Sequence, residues 1–433
     1  MKKVLHITTH MGGGVGKVLS GISSYANKYS EKYIHKIILL EKPQKMNFIN
    51  ICRESGVEVK ICESFDEAYD EIRRADITQI EWWNHPKMSE FMANFPKIKT
   101  RLIIWAHISG CSYPNIPPEF IKIPSKFLFT SEYSYENPTW SESEREYIKK
   151  NTRAINSSGG FEKIEEKKLI NHDGFNIGYI GTLNYSKLND QFYKYYKSID
   201  IEDVKFTIIG DIENSKNIIS DLKNSNLYDK SIIKDYVDDV GEEMKNFDVF
   251  SYLLNKEHFG TTENILLEAM AMGLPVICIN QCAEKFLINN METGILINTV
   301  EEYKNAINYL YENPENAKIM GQKAKEFVQN KFSVKNTVNN LHSVYDDILK
   351  NSKQIYDFSD VIGNKPYEWF FNFLGAYKKF FYTMSKNNEK TEVDYRIKIN
   401  LDILKEKNKS SIYQFLRYYP NDEILKYWSK ILE

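Results

Sequence analysis

Residues 257–277 read EHFGTTENILLEAMAMGLPVI. The apolar residues after Glu263 recur at helical spacing, and Thr261 and Thr262 are suited to cap such a helix. Gly273-Leu274-Pro275 ends it and a short buried strand follows. Free backbone amides at a helix start suit a diphosphate, and an acidic residue one or two turns on, here Glu268, accepts hydrogen bonds from sugar hydroxyls. Ordinary helix-dipole and surface roles fit Glu263 and Glu268 equally well on this text alone.

Outward from this stretch, the chain alternates short β-branched runs with amphipathic segments. After residue 174 the runs are FNIGYIGT, KFTIIGD, SIIKDYV, DVFSYLL, PVICI and GILIN, closed by helices over about 301–350. Before residue 157 they are VLHITT, HKIILLEK, VEVKICE, ITQIEWW, RLIIWAH and KFLFTS. Strand-helix alternation of this kind builds parallel sheets with crossover helices. The polar segment SSGGFEKIEEKKLINHDG, 157–174, reads as a linker, giving α/β domains at 1–165 and 166–350 and a helical extension at 351–433.

A chain of 433 residues is too long for one compact core, and its formal net charge of -2 excludes a strongly basic nucleic-acid-binding protein. The five cysteines are odd in number and scattered, as suits a reducing cytosol, and no run is long and apolar enough for a membrane span. The first strand enters Met11-Gly12-Gly13-Gly14-Val15-Gly16-Lys17, where glycines let amides approach a ligand at a helix start. The run lacks the Ser/Thr that follows the lysine of a P-loop, and a tight turn without ligand is the alternative. From Lys365 the extension has thirteen Lys/Arg against nine Asp/Glu and begins KPYEWFFNFLGAYKKFFYTMSK. Its aromatic face suits a membrane interface or a partner chain, or packs as core.

The block EHFG…LLEAMAMGLPVI resembles the signature of the glycosyltransferase family 4 group (glycosyl transferases group 1). GYIGTLNYSKL, FTIIGD, DVFSYLL and HITTHMGGG resemble further family elements, so the resemblance covers roughly 1–350. It implies the GT-B fold of two facing Rossmann-like domains, the first on the acceptor side and the second binding a nucleotide diphosphate sugar. It also implies sugar transfer to a glycan or lipid-linked acceptor hydroxyl with anomeric retention, in cytoplasmic or inner-membrane-face assembly of bacterial surface glycan.

Carried over by position, Gly13 and Gly14 face phosphate and acceptor, His107 lies beside the transferred sugar, and Lys187 neutralises the diphosphate. Gly260, Thr261, Thr262 and Asn264 line the donor, and Glu268 takes the nucleotide ribose. Two positions depart from the pattern. Thr182 stands where the family commonly has arginine, and counting back from Glu268 puts Gly260 where the first of two glutamates belongs. That first role is left between Glu263, preferred for its place at the helix start, and Glu257, which matches the EHFG text with three residues inserted.

No Asp-x-Asp triplet occurs, and the seven histidines besides His107 form no evident set, so neither metal nor cofactor is expected. An epimerase or phosphorylase on the same fold, or a protein that binds nucleotide sugar or a partner without turnover, are the rival readings.

Overall fold

A computed structural model describes residues 1–158, 160–161, 164, 172–258, 260–381, 404 and 410–432. The chain forms two compact units, Met1–Gly159 with Val334–Glu433, and Gly160–Ser333. Most of the expected linker, including the 165/166 boundary, lies outside the described residues.

The first unit holds strands β1 (Lys2–Thr8), β2 (Tyr33–Leu39), β3 (Glu58–Ile61), β4 (Ile77–Trp82), β5 (Leu102–Ala106), β6 (Lys126–Phe129) and β7 (Arg153–Ala154). They pair in parallel in the order β3-β2-β1-β4-β5-β6-β7. The second unit holds β8 (Phe175–Ile180), β9 (Val204–Ile209), β10 (Ser231–Lys234), β11 (Val249–Tyr252), β12 (Val276–Ile279) and β13 (Ile295–Ile297), in the order β10-β9-β8-β11-β12-β13. Both sheets reverse strand order beside their first strand, at β1/β4 and β8/β11. In open parallel sheets ligands bind outside the carboxyl ends of the strands at such a point. The fold is thus the doubly wound α/β pair of GT-B proteins, with a helical carboxy-terminal region.

Two assignments made from sequence change. The helix Val334–Ile348, expected to close the second domain, belongs to the first unit. Its buried face, Val334, Val338, Leu341, Val344, Tyr345 and Ile348, shares a core with Val4, Val18, Leu19 and Ile22, and Thr337 donates to the Asn156 carbonyl at 2.9 Å. The extension also belongs there. Trp369, Phe370, Phe373, Leu374, Phe381, Phe415 and Trp428 are buried with Trp82, Phe91 and Phe120 of the first sheet's layer, so this aromatic stripe is core rather than a membrane-facing surface. Burying apolar area is worth roughly 25 cal/mol per Å², and rings of this size contribute the most per residue. Among the described residues no helix is long and apolar enough to cross a membrane.

Candidate functional site

In the second unit the site grows from the ends of β8 and β11. The loop after β8 is tied to the loop after β11 by the Leu188–Leu254 bridge and by Asn255, whose backbone N–H donates to the Lys187 carbonyl at 2.7 Å. This places the Lys187 ammonium 2.9 Å from Glu263 Oε2, the oxygen that also accepts from the Tyr252 hydroxyl at 2.6 Å. His258 Nδ1 lies 3.7 Å from Glu263 Oε1. Burial pushes the Glu263 carboxyl up, but Lys187 foremost, with His258 and Tyr252, holds it down to about 2. Glu263 is therefore an ionised carboxylate in a buried setting, only 3% exposed.

The helix that follows spans Asn264–Ala271 with Glu263 as its N-cap, so Thr261 and Thr262 precede the cap instead of forming it. Gly260 has a steric reason to be glycine. A Cβ there would stand 1.7 Å from Glu263 Oε1 and 2.7 Å from His258 Nδ1. Glu268 is buried on the same helix, Thr261 is buried, and Thr262 and Asn264 are half-buried beside it, with Asn264 Oδ1 lacking a hydrogen-bond partner among the described residues. Thr182 is held near this loop through its carbonyl, which accepts from Tyr179 at 3.0 Å. Glu257 is half-buried, and the tyrosine, lysine and histidine contacts above run to Glu263.

In the first unit Gly13 and Gly14 are exposed at the start of the helix Gly13–Tyr29, and Gly13 takes φ +57°. His107, just past β5, is held by a partner that sequence reading did not single out. Its Nε2 lies 2.6 Å from Glu81 Oε2, while Glu81 Oε1 accepts from His6 Nδ1 at 2.7 Å and from Gln79 Nε2 at 2.9 Å. His6 Nε2 lies 2.7 Å from His35 Nδ1, and His35 Nε2 lies 3.4 Å from His342 Nε2. The expectation that the other histidines form no set is thus corrected: three of them make a row ending at Glu81.

A carboxylate only accepts, so the row's protons are ordered: His107 and His6 donate to Glu81, His35 to His6, and His342 to His35. Burial raises the Glu81 carboxyl, and the hydrogen bonds from His107 and His6 outweigh it, holding it at about 2. Burial lowers His35 well below its usual range and His342 to about 4, so both rings stay neutral.

Two clusters bring potential metal-ligating atoms within 4.8 Å of one another: His10–Glu41–His85 and His258–Cys282–Glu284. In all three histidines Nδ1 already accepts a backbone N–H, from Gly12 at 3.0 Å, Lys87 at 3.2 Å and Gly260 at 3.0 Å. A neutral imidazole has one lone pair, so Nε2 carries the proton and offers a metal nothing. For His258, burial opposes a charge while Glu284 and Glu263 pull the group up, to about 10. Its Nε2, 3.2 Å from Glu284, carries a proton in the charged ring and in the neutral tautomer alike, so it offers a metal no lone pair.

The fold is of the GT-B type, and the comparisons add to it. Residues 160–327 match the family model described as "Glycosyl transferases group 1", a match that lies within the second unit. The chain is 29% identical over 198 residues to the capsular polysaccharide biosynthesis glycosyltransferase CapM of Staphylococcus aureus, covering 44% of this chain and 51% of that protein. It is 27% identical over 213 residues to N-acetyl-alpha-D-glucosaminyl L-malate synthase of Bacillus anthracis, covering 48% of this chain and 53% of that protein. The chain thus spans about half the length of these curated relatives. Among solved structures, HepE of Anabaena in complex with UDP-glucose superposes with TM-score 0.61 at 14% identity, over 80% of this chain and 100% of that one, a likeness of fold.

Proposed function

We propose that the chain is a glycosyltransferase that moves a hexose from a nucleotide diphosphate sugar to an acceptor hydroxyl, with retention and without a metal or other cofactor. The observation that carries this reading is the ionised, buried Glu263, clamped by Lys187 and Tyr252 over Gly260 within the group 1 domain. A fixed carboxylate at a sugar site accepts hydroxyl hydrogen bonds at no reorganisation cost, and the neighbouring ammonium stabilises charge developing on a departing diphosphate. Glu268 serves the ribose, and the amides of Gly260, Thr261, Thr262 and Asn264 serve the phosphates. In the transfer, the bond from the anomeric carbon to the diphosphate oxygen breaks and one to the acceptor oxygen forms on the same face. The acceptor proton passes to a diphosphate oxygen. His107, oriented by Glu81, accepts a hydrogen bond from a sugar hydroxyl through Nδ1.

The name of one relative favours bacterial capsule or related glycan assembly as the setting, and to this we add work in the cytoplasm or at the inner face of the membrane. The test is a thermal-shift screen of nucleotide sugars followed by product analysis with and without acceptor, in chelator. A donor bound only by the folded chain raises its apparent stability. Retained, acceptor-dependent transfer in chelator is expected. An epimerised donor, phosphorolysis, or loss of turnover restored by magnesium or manganese overturns the reading.

A further inference from the structure

Two groups have a claim on Lys187. The structure holds its ammonium on Glu263 Oε2 at 2.9 Å, and the function proposed above turns the same ammonium toward a diphosphate. Once the ammonium is shared, Glu263 needs support at its other oxygen, Oε1, which lies 3.7 Å from His258 Nδ1. His258 is fully buried. Beyond it, 3.2 Å from its Nε2, stands Glu284, which follows β12 at the start of the short helix Glu284–Leu287. Ammonium, carboxylate, imidazole and carboxylate thus form one chain of contacts, Lys187–Glu263–His258–Glu284, inside the second unit.

Three observations place this ring between two protonation states. Glu284 is 1% exposed and both its oxygens lack a hydrogen-bond partner among the described residues, a cost that a positive charge beside it offsets. Burial opposes a charge on His258, but Glu284, Cys282 and Glu263 together draw the ring up to about 10. Cys282, the third titratable group at the ring, gives its thiol hydrogen to the Lys256 carbonyl at 3.0 Å. One contact works against the carboxylates: the Gly260 N–H donates to Nδ1 at 3.0 Å and fills the lone pair that a second ring proton needs. Ring, amide and carboxylate meet this closely because residue 260 has no Cβ, which would stand 2.7 Å from Nδ1 and 1.7 Å from Glu263 Oε1.

We propose that binding of a nucleotide diphosphate draws one proton from solvent onto His258 Nδ1, and that the imidazolium then holds Glu263 while Lys187 serves the diphosphate. The Gly260 N–H turns from Nδ1 to a phosphate oxygen, which frees the lone pair. A solvent proton forms a new N–H bond at Nδ1, facing Glu263 Oε1, and no bond in the protein breaks. Nε2 keeps its proton toward Glu284, so the ring ends with a carboxylate beside each nitrogen. By formal charge the four side chains pass from one excess negative charge to neutrality, which favours an incoming anion. Glu284 is therefore a positioning residue that acts on Glu263 through His258. Departure of the nucleotide reverses the steps and releases the proton. That a diphosphate binds here rests on the function proposed above.

The test uses the full chain with uridine, guanosine and adenosine diphosphates, titrated by calorimetry in buffers of different ionisation enthalpy at about pH 8.5, well above the phosphate pKa of about 6. The buffer dependence of the heat counts protons, and about one should be taken up per nucleotide bound. His258→Asn keeps an acceptor for the Gly260 N–H but cannot be charged, and Glu284→Gln keeps an acceptor for Nε2 without the negative charge. Uptake should fall to near zero in the first and by roughly half or more in the second, with affinity several-fold weaker in both. If His258→Asn does not fold, His258→Gln takes its place. Binding without proton uptake, or uptake unchanged in His258→Asn or in Glu284→Gln, overturns the proposal and leaves the donor reading standing. Binding of none of the nucleotides removes the donor reading and this proposal with it, so the two failures are distinguishable.

Discussion

In the first unit the buried carboxylate of Glu81 is held by imidazole and amide N–H groups; in the second, that of Glu263 is held by an ammonium and a phenol. Both are held as carboxylates at about 2, yet by different physics. Glu81 sits at the end of an ordered row of N–H donors, so removing any one of them leaves others. Glu263 depends foremost on the Lys187 ammonium, and a buried ion pair is far costlier to break on one side than to replace on both. The row suits a group that must keep a fixed tautomer, and the ion pair suits a group that meets a charged, reacting ligand.

The largest effect should follow from breaking that ion pair. Lys187→Met leaves Glu263 buried without its cation and should destabilise the chain by about 3–5 kcal/mol in urea unfolding. Adding Glu263→Gln should return a large part of the loss, since the unpaired charge is then gone. A Lys187→Met variant as stable as the wild type would mean that Glu263 is not held by this contact.

Next comes turnover. Glu263→Gln keeps the shape and loses the charge, so sugar transfer should fall about 100-fold, roughly 2.7 kcal/mol, while affinity for the bare nucleotide diphosphate stays near wild type. Glu257→Gln should be mild. The reverse ranking would return the first acidic role to Glu257 and make the three inserted residues a mere lengthening of the loop.

Much of this contrast was hidden in the sequence for a definable reason. Twelve strands were readable as β-branched runs, while β7, Arg153–Ala154, is two residues long and carries no period. The helix Val334–Ile348 was visible as a helix, but its apolar stripe does not say which core covers it. Lys187 was reachable through the family resemblance, and Glu263 through its place at the expected helix start. Tyr252 and Glu81 were not, since each stands in a strand that reads as core. One signal was available for Glu81: Gln79 and Glu81 alternate on one face of a central strand, and His6 pairs in register with Gln79. Polar residues in period two on a strand buried along its whole length need partners. His35 and His342 are joined to that face only by tertiary packing, which no local spacing encodes.

The smallest effect tests the first unit's side of the comparison, through acid stability. A glutamate whose folded pKa is depressed stabilises the fold above its unfolded value and loses that contribution as pH falls toward the folded value. For Glu81 the window runs from 4.5 down to about 2, so urea midpoints of the wild type should fall across it. Glu81→Gln removes this contribution but can still accept from His107 through its amide oxygen, so its unfolding free energy should lie about 1–3 kcal/mol lower near neutrality and fall less steeply below pH 4.5. Glu263 titrates in the same window and remains in both chains, so the difference between the two curves isolates Glu81. If that difference is flat from pH 6 to pH 3, the histidine row does not hold Glu81 ionised, and the ordered tautomer of His107 loses its cause.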